Sequence, residues 1–152
     1  EEYSSYMMNL GFKVKICDSP KHVTDTCNLI ITTTAATEPI LFADDIQPGT
    51  HITAMGSDTT AKQELDPNIM EKADCVVTDS ISQCIKRGEI SHALRDRKLT
   101  KNNIVELGHV LNGQHPGRTA EDQITVADLT GVAVQDIQIA TAVYESFMEN
   151  ES

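Results

Sequence analysis

The residues best suited to chemistry sit in one stretch, GTHITAMGSDTTAKQEL, from Gly49 to Leu65. It opens after a Pro48-Gly49 turn. A short β-favouring run follows, His51 to Met55, and ends in Gly56-Ser57-Asp58. A helix is then predicted over Lys62 to Ala73, with a break at Asp66-Pro67. Strand, tight turn, helix puts Asp58 just past a strand's carboxyl end, where open α/β sheets bind their ligands. A carboxylate there can act as general acid or base if burial tunes its proton affinity. The same place also suits an Asp that merely caps the following helix, and spacing alone leaves both readings open. Two further places invite a ligand. Thr32-Thr33-Thr34 follows the apolar run NLIIT, and small residues there let a ligand approach the backbone; a Thr run is equally a sign of plain β-propensity. Thr130-Gly131 precedes a long helix whose first N–H groups would point at whatever lies beside Thr130.

Other reactive side chains read more simply. Cys17, Cys27, Cys75 and Cys84 form no C-x-x-C pair and have no His at metal-ligand spacing, so they read as reduced thiols of a cytoplasmic protein with no metal site. His51 lies inside a strand and reads as packed; His92, His109 and His115 read as surface or turn residues. Arg118, after Pro116-Gly117, reads as a loop anchor. The acidic tail Glu145 to Glu151 reads as a solvated helix end. Acidic residues outnumber basic ones 23 to 12, and the net charge of −11 argues against nucleic acid and anionic membrane partners. With three Tyr, three Phe and no Trp, aromatic platforms for stacked bases are scarce. No apolar run is long enough to be a membrane span.

The elements that must hold these residues alternate. The chain opens without Met, inside a helical pattern: Tyr3, Tyr6, Met7 and Leu10 share a face, and Gly11 stops it. That points to an incomplete chain. Strands are predicted at Phe12–Cys17, Asn28–Thr32, His51–Met55, Cys75–Thr78 and Ile124–Val126. Asn28–Thr32 and Cys75–Thr78 are continuous enough to be buried on both faces. Helices are predicted from Pro20, from Ile81 to Arg87, in short pieces over 89–114, and from about Gly131 to Asn150. In the last helix Ala133, Ile137, Ala140, Tyr144 and Phe147 form one stripe expected to be buried. Ile40 to Ile46 reads as a short helix or turn. Strands alternating with helices predict an α/β domain with a mostly parallel sheet, right-handed connections and helices on both faces.

Five stretches together resemble one family, the ornithine cyclodeaminase and mu-crystallin group of NAD(P)-dependent proteins. They are NLIITTTAATEPIL, PGTHITAMGSDTTAKQELD, ADCVVTDS, IVELGHVLNGQHPGRT and ITVADLTGVAVQDIQIA, in that group's order and spacing from about Phe12 onward. The resemblance implies a Rossmann-like, doubly wound fold whose first strands, with the Gly-rich phosphate turn and the ribose-reading acid, lie before residue 1. Residues 1–152 would then be part of a dinucleotide domain plus the C-terminal helix 131–150, without the substrate and dimerisation domain. The resemblance makes Asp58 the catalytic acid/base. It puts Met55, Gly56 and Ser57 against the nicotinamide ribose, with Thr33 and Thr34 beside them. Lys62 would reach the cofactor, and Thr130 and Gly131 would lie by the nicotinamide ring. Leu129 stands where many members have Ser, and Thr60-Ala61 where cyclodeaminases often show Pro-Gly.

The activity so implied is that of an NAD(P)-dependent cyclodeaminase. An amino acid is oxidised to its imine, the side-chain amine closes a ring, ammonia leaves, and the hydride returns. NAD or NADP is the expected cofactor, bound weakly or not at all by this chain alone; an amino acid is the expected substrate and a homodimer the expected assembly. Two alternatives stand beside it: an imine or ketimine reductase or amino-acid dehydrogenase of the same group, including the ectoine-utilisation type, and a non-catalytic, mu-crystallin-like binding protein.

Overall fold

The computed structural model describes residues 2–150. Glu1, Glu151 and Ser152 lie outside the described residues. In chain order the elements are α1 (Glu2–Asn9), α2 (Pro20–Thr26), β1 (Leu29–Thr32), β2 (His51–Ala54), α3 (Asn68–Lys72), β3 (Cys75–Thr78), α4 (Ile81–Cys84), α5 (Glu89–Arg95), β4 (Ile104–Glu106), α6 (Leu107–Leu111), β5 (Thr125–Asp128) and α7 (Ala133–Asn150). The five strands form one sheet in the order β1-β2-β5-β3-β4, and all four pairings are parallel. This is a Rossmann-like α/β arrangement.

Register explains where the core sits. Ile30, Ile52, Val126, Val76 and Ile104 are successive partners across all five strands, and all are buried. Side chains two residues apart share a face, so the next row on that face is Thr32, Ala54, Asp128, Thr78 and Glu106. The buried face is therefore apolar along its middle and polar at its carboxyl edge. Ile69 and Met70 of α3, Cys84 of α4, and Ile90 and Ala93 of α5 complete the core, with Leu41, Ile46 and Leu65 from the connections. The other face is less covered: His51, Thr53, Val77 and Ala127 are half-buried, and Leu29 and Ile31 are exposed.

Five sequence expectations need correction. Phe12–Cys17 alternates like a strand but joins no ladder, and Phe12, Val14 and Ile16 are exposed; among the described residues, no neighbouring strand receives its N–H and C=O groups. β1 is buried on one face only, because Leu29 and Ile31 lie on the less covered face of the sheet and stay exposed. Residues 62–67 are not helical. They run extended beside Leu41, with Ile40 and Leu41 donating to the Glu64 carbonyl, and helix begins only at Asn68. The pieces of 89–114 include a strand, β4, which alternation could not reveal over three residues. Finally, α7 starts at Ala133, after Gly131 takes a φ of +81°, and its stripe Ala133, Ile137, Ala140, Tyr144 and Phe147 is exposed; none of those side chains reaches the core. The opening helix, α2, β3 and β5 lie where the pattern puts them. Among the described residues, no helix is long and apolar enough to cross a membrane.

Candidate functional site

All strands are parallel, so their carboxyl ends share one edge. Thr33-Thr34, Met55 to Asp58, Asp79 and Thr130-Gly131 leave the sheet there. A cleft of about 370 Å³ opens beside β1, between Ser19-Pro20 and Thr32 to Thr34. Thr33 and Thr34 are thus exposed and cleft-lining.

The loop from Met55 to Asp66 carries the rest. Met55 is half-exposed and its amide donates to the Thr32 carbonyl (2.9 Å), extending the β1–β2 ladder by one step. Gly56 is buried; a Cβ there would collide with the Thr34 carbonyl and the Glu64 carboxyl, so only glycine fits where the two strand ends converge. Ser57 is buried, and its hydroxyl donates to the Lys62 carbonyl (2.6 Å), closing a tight loop. Asp58 stands on that loop and faces solvent. Its Oδ1 accepts from the Lys62 Nζ at 2.7 Å, with the two side chains 53% and 30% exposed. Asp58 caps no helix; just before α3, Asp66 Oδ1 accepts from the Asn68 amide (3.0 Å).

Electrostatics at Asp58 differ from the expectation of tuning by burial. The hydrogen bond from Lys62 holds its carboxyl below the ordinary carboxylate range, its charge adds to this, and the Arg87 guanidinium acts the same way. Asp58 is therefore an ionised carboxylate paired with an ammonium at neutral pH. Across the edge, Thr130 is buried, and its hydroxyl and the Gly131 carbonyl both accept from Gln83 Nε2 (2.6 Å each). The Gly131 amide donates to Asp79 Oδ2 (2.7 Å). Thr33, Thr34, Met55, Gly56, Ser57, Asp58, Lys62, Thr130 and Gly131 thus share one edge of the sheet.

Sequence reasoning missed several groups. Glu64, Glu89 and Asp128 are all buried carboxyls in this region. Burial raises Glu89 to about 7, against the pull of the Glu64 and Leu65 amides and with the push of the Glu64 carboxyl. Burial raises Asp128 to about 7, and the Glu89 carboxyl pushes it further the same way. His92 is buried rather than superficial: Nε2 donates to the Lys62 carbonyl (2.8 Å), and Nδ1 receives an Arg95 N–H (2.6 Å). Arg87, whose charge reaches Asp58, has a buried Nε without a hydrogen-bond partner among the described residues. One signal was available: Glu89 follows Gly88 in a first helical turn, where acids favour the helix dipole. His51 is packed as read, between Thr125 (2.7 Å) and Thr53 (3.1 Å), and Arg118 holds the Gly49 carbonyl. The four cysteines are free thiols, and among the described residues no cluster of three His, Cys, Asp or Glu could hold a metal.

A parallel sheet of this order, with a loop of Gly, Ser, Asp and Lys at its carboxyl edge, goes with a match to a described family over residues 1–151: "Ornithine cyclodeaminase/mu-crystallin family". The chain belongs to the ornithine cyclodeaminase/mu-crystallin family. An uncharacterized cyclodeaminase of Sinorhizobium fredii is 40% identical over 143 residues, 93% of this chain and 43% of that protein. The alanine dehydrogenase of Archaeoglobus fulgidus is 34% identical over 147 residues, 96% of this chain and 45% of that one. Among solved structures, the iminosuccinate reductase of Paracoccus denitrificans in complex with NAD⁺ superposes with a TM-score of 0.90 at 32% identity, covering 98% of this chain and 45% of that one. The chain therefore spans less than half the length of these relatives. Family members so named include cyclodeaminases, an amino-acid dehydrogenase and an imine reductase, and solved members hold NAD.

Proposed function

We propose that this chain supplies the nicotinamide side of an NAD(P)-dependent enzyme that interconverts an amino acid and its imine. The observation that carries the reading is the Asp58–Lys62 pair, 2.7 Å apart, at the carboxyl end of β2 and within the loop that buries Ser57. The donor set suits a dinucleotide. Thr33 and Thr34 offer exposed groups at the end of β1, Lys62 offers a cation, and Gly131 offers backbone without a side chain in the way. Met55, Gly56 and Ser57 would form the wall against the nicotinamide ribose, and Thr130 the floor beside the ring. When bound, the nicotinamide takes a hydride from the substrate's α-carbon or returns one.

The chain's own residues have a simpler task. An α-ammonium must lose its proton before hydride can leave the carbon beneath it. Asp58, ionised and exposed, can accept that proton at a carboxylate oxygen. Lys62 fixes the carboxylate's direction through the 2.7 Å contact and offsets its charge. In reverse, the same carboxylate balances the positive charge of a protonated imine as hydride arrives. A carboxyl held low stays ionised at neutral pH, ready as proton acceptor and counter-ion. Likeness to a named alanine dehydrogenase and a named iminosuccinate reductase favours net dehydrogenation or imine reduction. Ornithine-type cyclodeamination, supported by the likeness to a named cyclodeaminase, stands second.

The test follows absorbance of the reduced cofactor. With pyruvate and ammonium, or with a cyclic imine, a reductase consumes NAD(P)H. With ornithine, a cyclodeaminase releases ammonia without net change in cofactor. Asp58→Asn is expected to lower kcat by about 100-fold or more, the loss of a positioned base. Near-normal turnover of that variant would remove Asp58 from the chemistry.

A further inference from the structure

The loop bearing Asp58 and Lys62 contains no helix or strand between Ala54 and Asn68, beyond a single bridge at Leu65. Its shape is set by buried carboxyls. Glu64 reaches back to both strand ends: its Oε2 accepts from the Thr32 hydroxyl (2.6 Å) and the Gly56 amide (2.9 Å), and its Oε1 from the Thr34 amide (2.5 Å). Its own amide donates to Glu89 Oε1 (2.7 Å), and the Leu65 amide donates to Glu89 Oε2 (3.1 Å). Glu89, first residue of α5, is held in turn from β5, where Asp128 Oδ2 accepts from the Ile90 amide (2.8 Å). Gly88 makes that approach possible: with φ at +85°, it lets the chain pass where a Cβ would stand 2.7 Å from Asp128 Oδ2. One turn along α5, His92 holds the Lys62 carbonyl. So α5 grips the loop at both Lys62 and Glu64-Leu65, and Glu64 passes that grip to the ends of β1 and β2.

We propose that Glu89 is a positioning residue: acting through Glu64 and Leu65, it fixes the loop that presents Asp58 and Lys62 to the cofactor and substrate. Its consequence for turnover rests on the reading given above; its consequence for the loop does not. The carboxylate form is matched to the task. Two amides converge on two oxygens, and a Gln in its place could accept from only one while its NH₂ met the other N–H head-on. The groups facing Glu89 are the Glu64 carboxyl, the Ser57 hydroxyl and the Asp128 carboxyl, itself near Asp79. None of these is a cation. Burial among like charges raises both carboxyls to about 7, and the two amides on Glu89 pull the other way, toward the carboxylate.

Hydrogen exchange read by mass spectrometry, paired with NADH-dependent turnover, tests this in the wild type, E89A and E89Q. In E89Q, peptides covering 55–66 are expected to exchange about tenfold faster, the factor for one buried amide left unpaired. Peptides covering β3 and β5 keep their protection. The turnover arm expects kcat to fall about 10- to 100-fold with the KM for NADH little changed, as misplacement of a reacting group does. Unchanged exchange over 55–66 in E89Q overturns the proposal, whether or not E89A folds. Faster loop exchange with wild-type kcat also overturns it. If the wild type itself neither binds nor oxidises NADH, the reaction reading fails, and the exchange arm alone still decides whether Glu89 fixes the loop.

Discussion

Asp128→Asn gives a stability signature whose sign is fixed by the structure. Asp128 is 1% exposed, and its proton affinity rises from an ordinary 3.8 to about 7, first through burial and then through the nearby Glu89 carboxyl. An acid raised in the folded state binds its proton more tightly there than in the unfolded chain. Its stabilisation is complete below the unfolded value and is lost as pH climbs through the folded one. For Asp128 the window is about pH 4 to 7, and the shift corresponds to on the order of 4 kcal/mol. Glu89, raised from 4.5 to about 7, works in the same direction. Because the two face each other they release protons in coupled steps, so the loss belongs to the pair. His51 opposes them: burial, then the Arg118 charge, lowers its proton affinity from 6.5, so it adds stability as pH rises. Comparing variant with wild type cancels that background. The amide of the variant side chain can still accept from the Ile90 N–H through its oxygen, but it carries no charge at any of these pH values. Urea unfolding at constant ionic strength, extrapolated linearly at pH 4.5, 6, 7 and 8, is the assay. The variant's stability relative to wild type is expected to improve by about 2 to 4 kcal/mol from pH 4.5 to pH 8. Parallel curves for the two proteins would refute the reasoning, because they would mean that Asp128 titrates alike in folded and unfolded chains.

Two further substitutions test the scaffold. Gly56→Ala drives a methyl into the Thr34 carbonyl and the Glu64 carboxyl, the latter already held by hydrogen bonds, and is expected to cost about 3 kcal/mol in urea unfolding. Ser19→Ala removes the cap of α2, where the hydroxyl accepts from the His22 amide at 3.3 Å; that bond is exposed and long, so about 0.5 to 1 kcal/mol is expected, read as a small drop in Tm.

What the sequence disclosed follows from what local patterns encode. β3 and β5 are legible because runs of β-branched residues bounded by polar ones have few other uses. α7 is legible as a helix, yet its apolar stripe names a face and not the partner for it, and in this structure Ile137, Tyr144 and Phe147 remain exposed. The Phe12–Cys17 alternation states a preference that a ladder would have to redeem, and among the described residues none is paired with it. The site divides along the same line. Asp58, Lys62 and the small residues around them stand within a few positions of one another, so spacing and family likeness could point to them. Glu64, Glu89 and Asp128 could not be found that way. A carboxylate in a polar stretch reads as surface, and what holds these three inside is amides 25 to 38 residues distant, Thr34 on Glu64, Glu64 on Glu89, and Ile90 on Asp128. The helix expected from Lys62 to Ala73 fails in its first part for a related reason: an intact helix would give the Glu64 carbonyl to the Asn68 amide, whereas the fold gives it to the Ile40 and Leu41 amides. The backbone that holds the candidate base is thus decided by side chains from other elements, and only the assembled sheet brings them within reach.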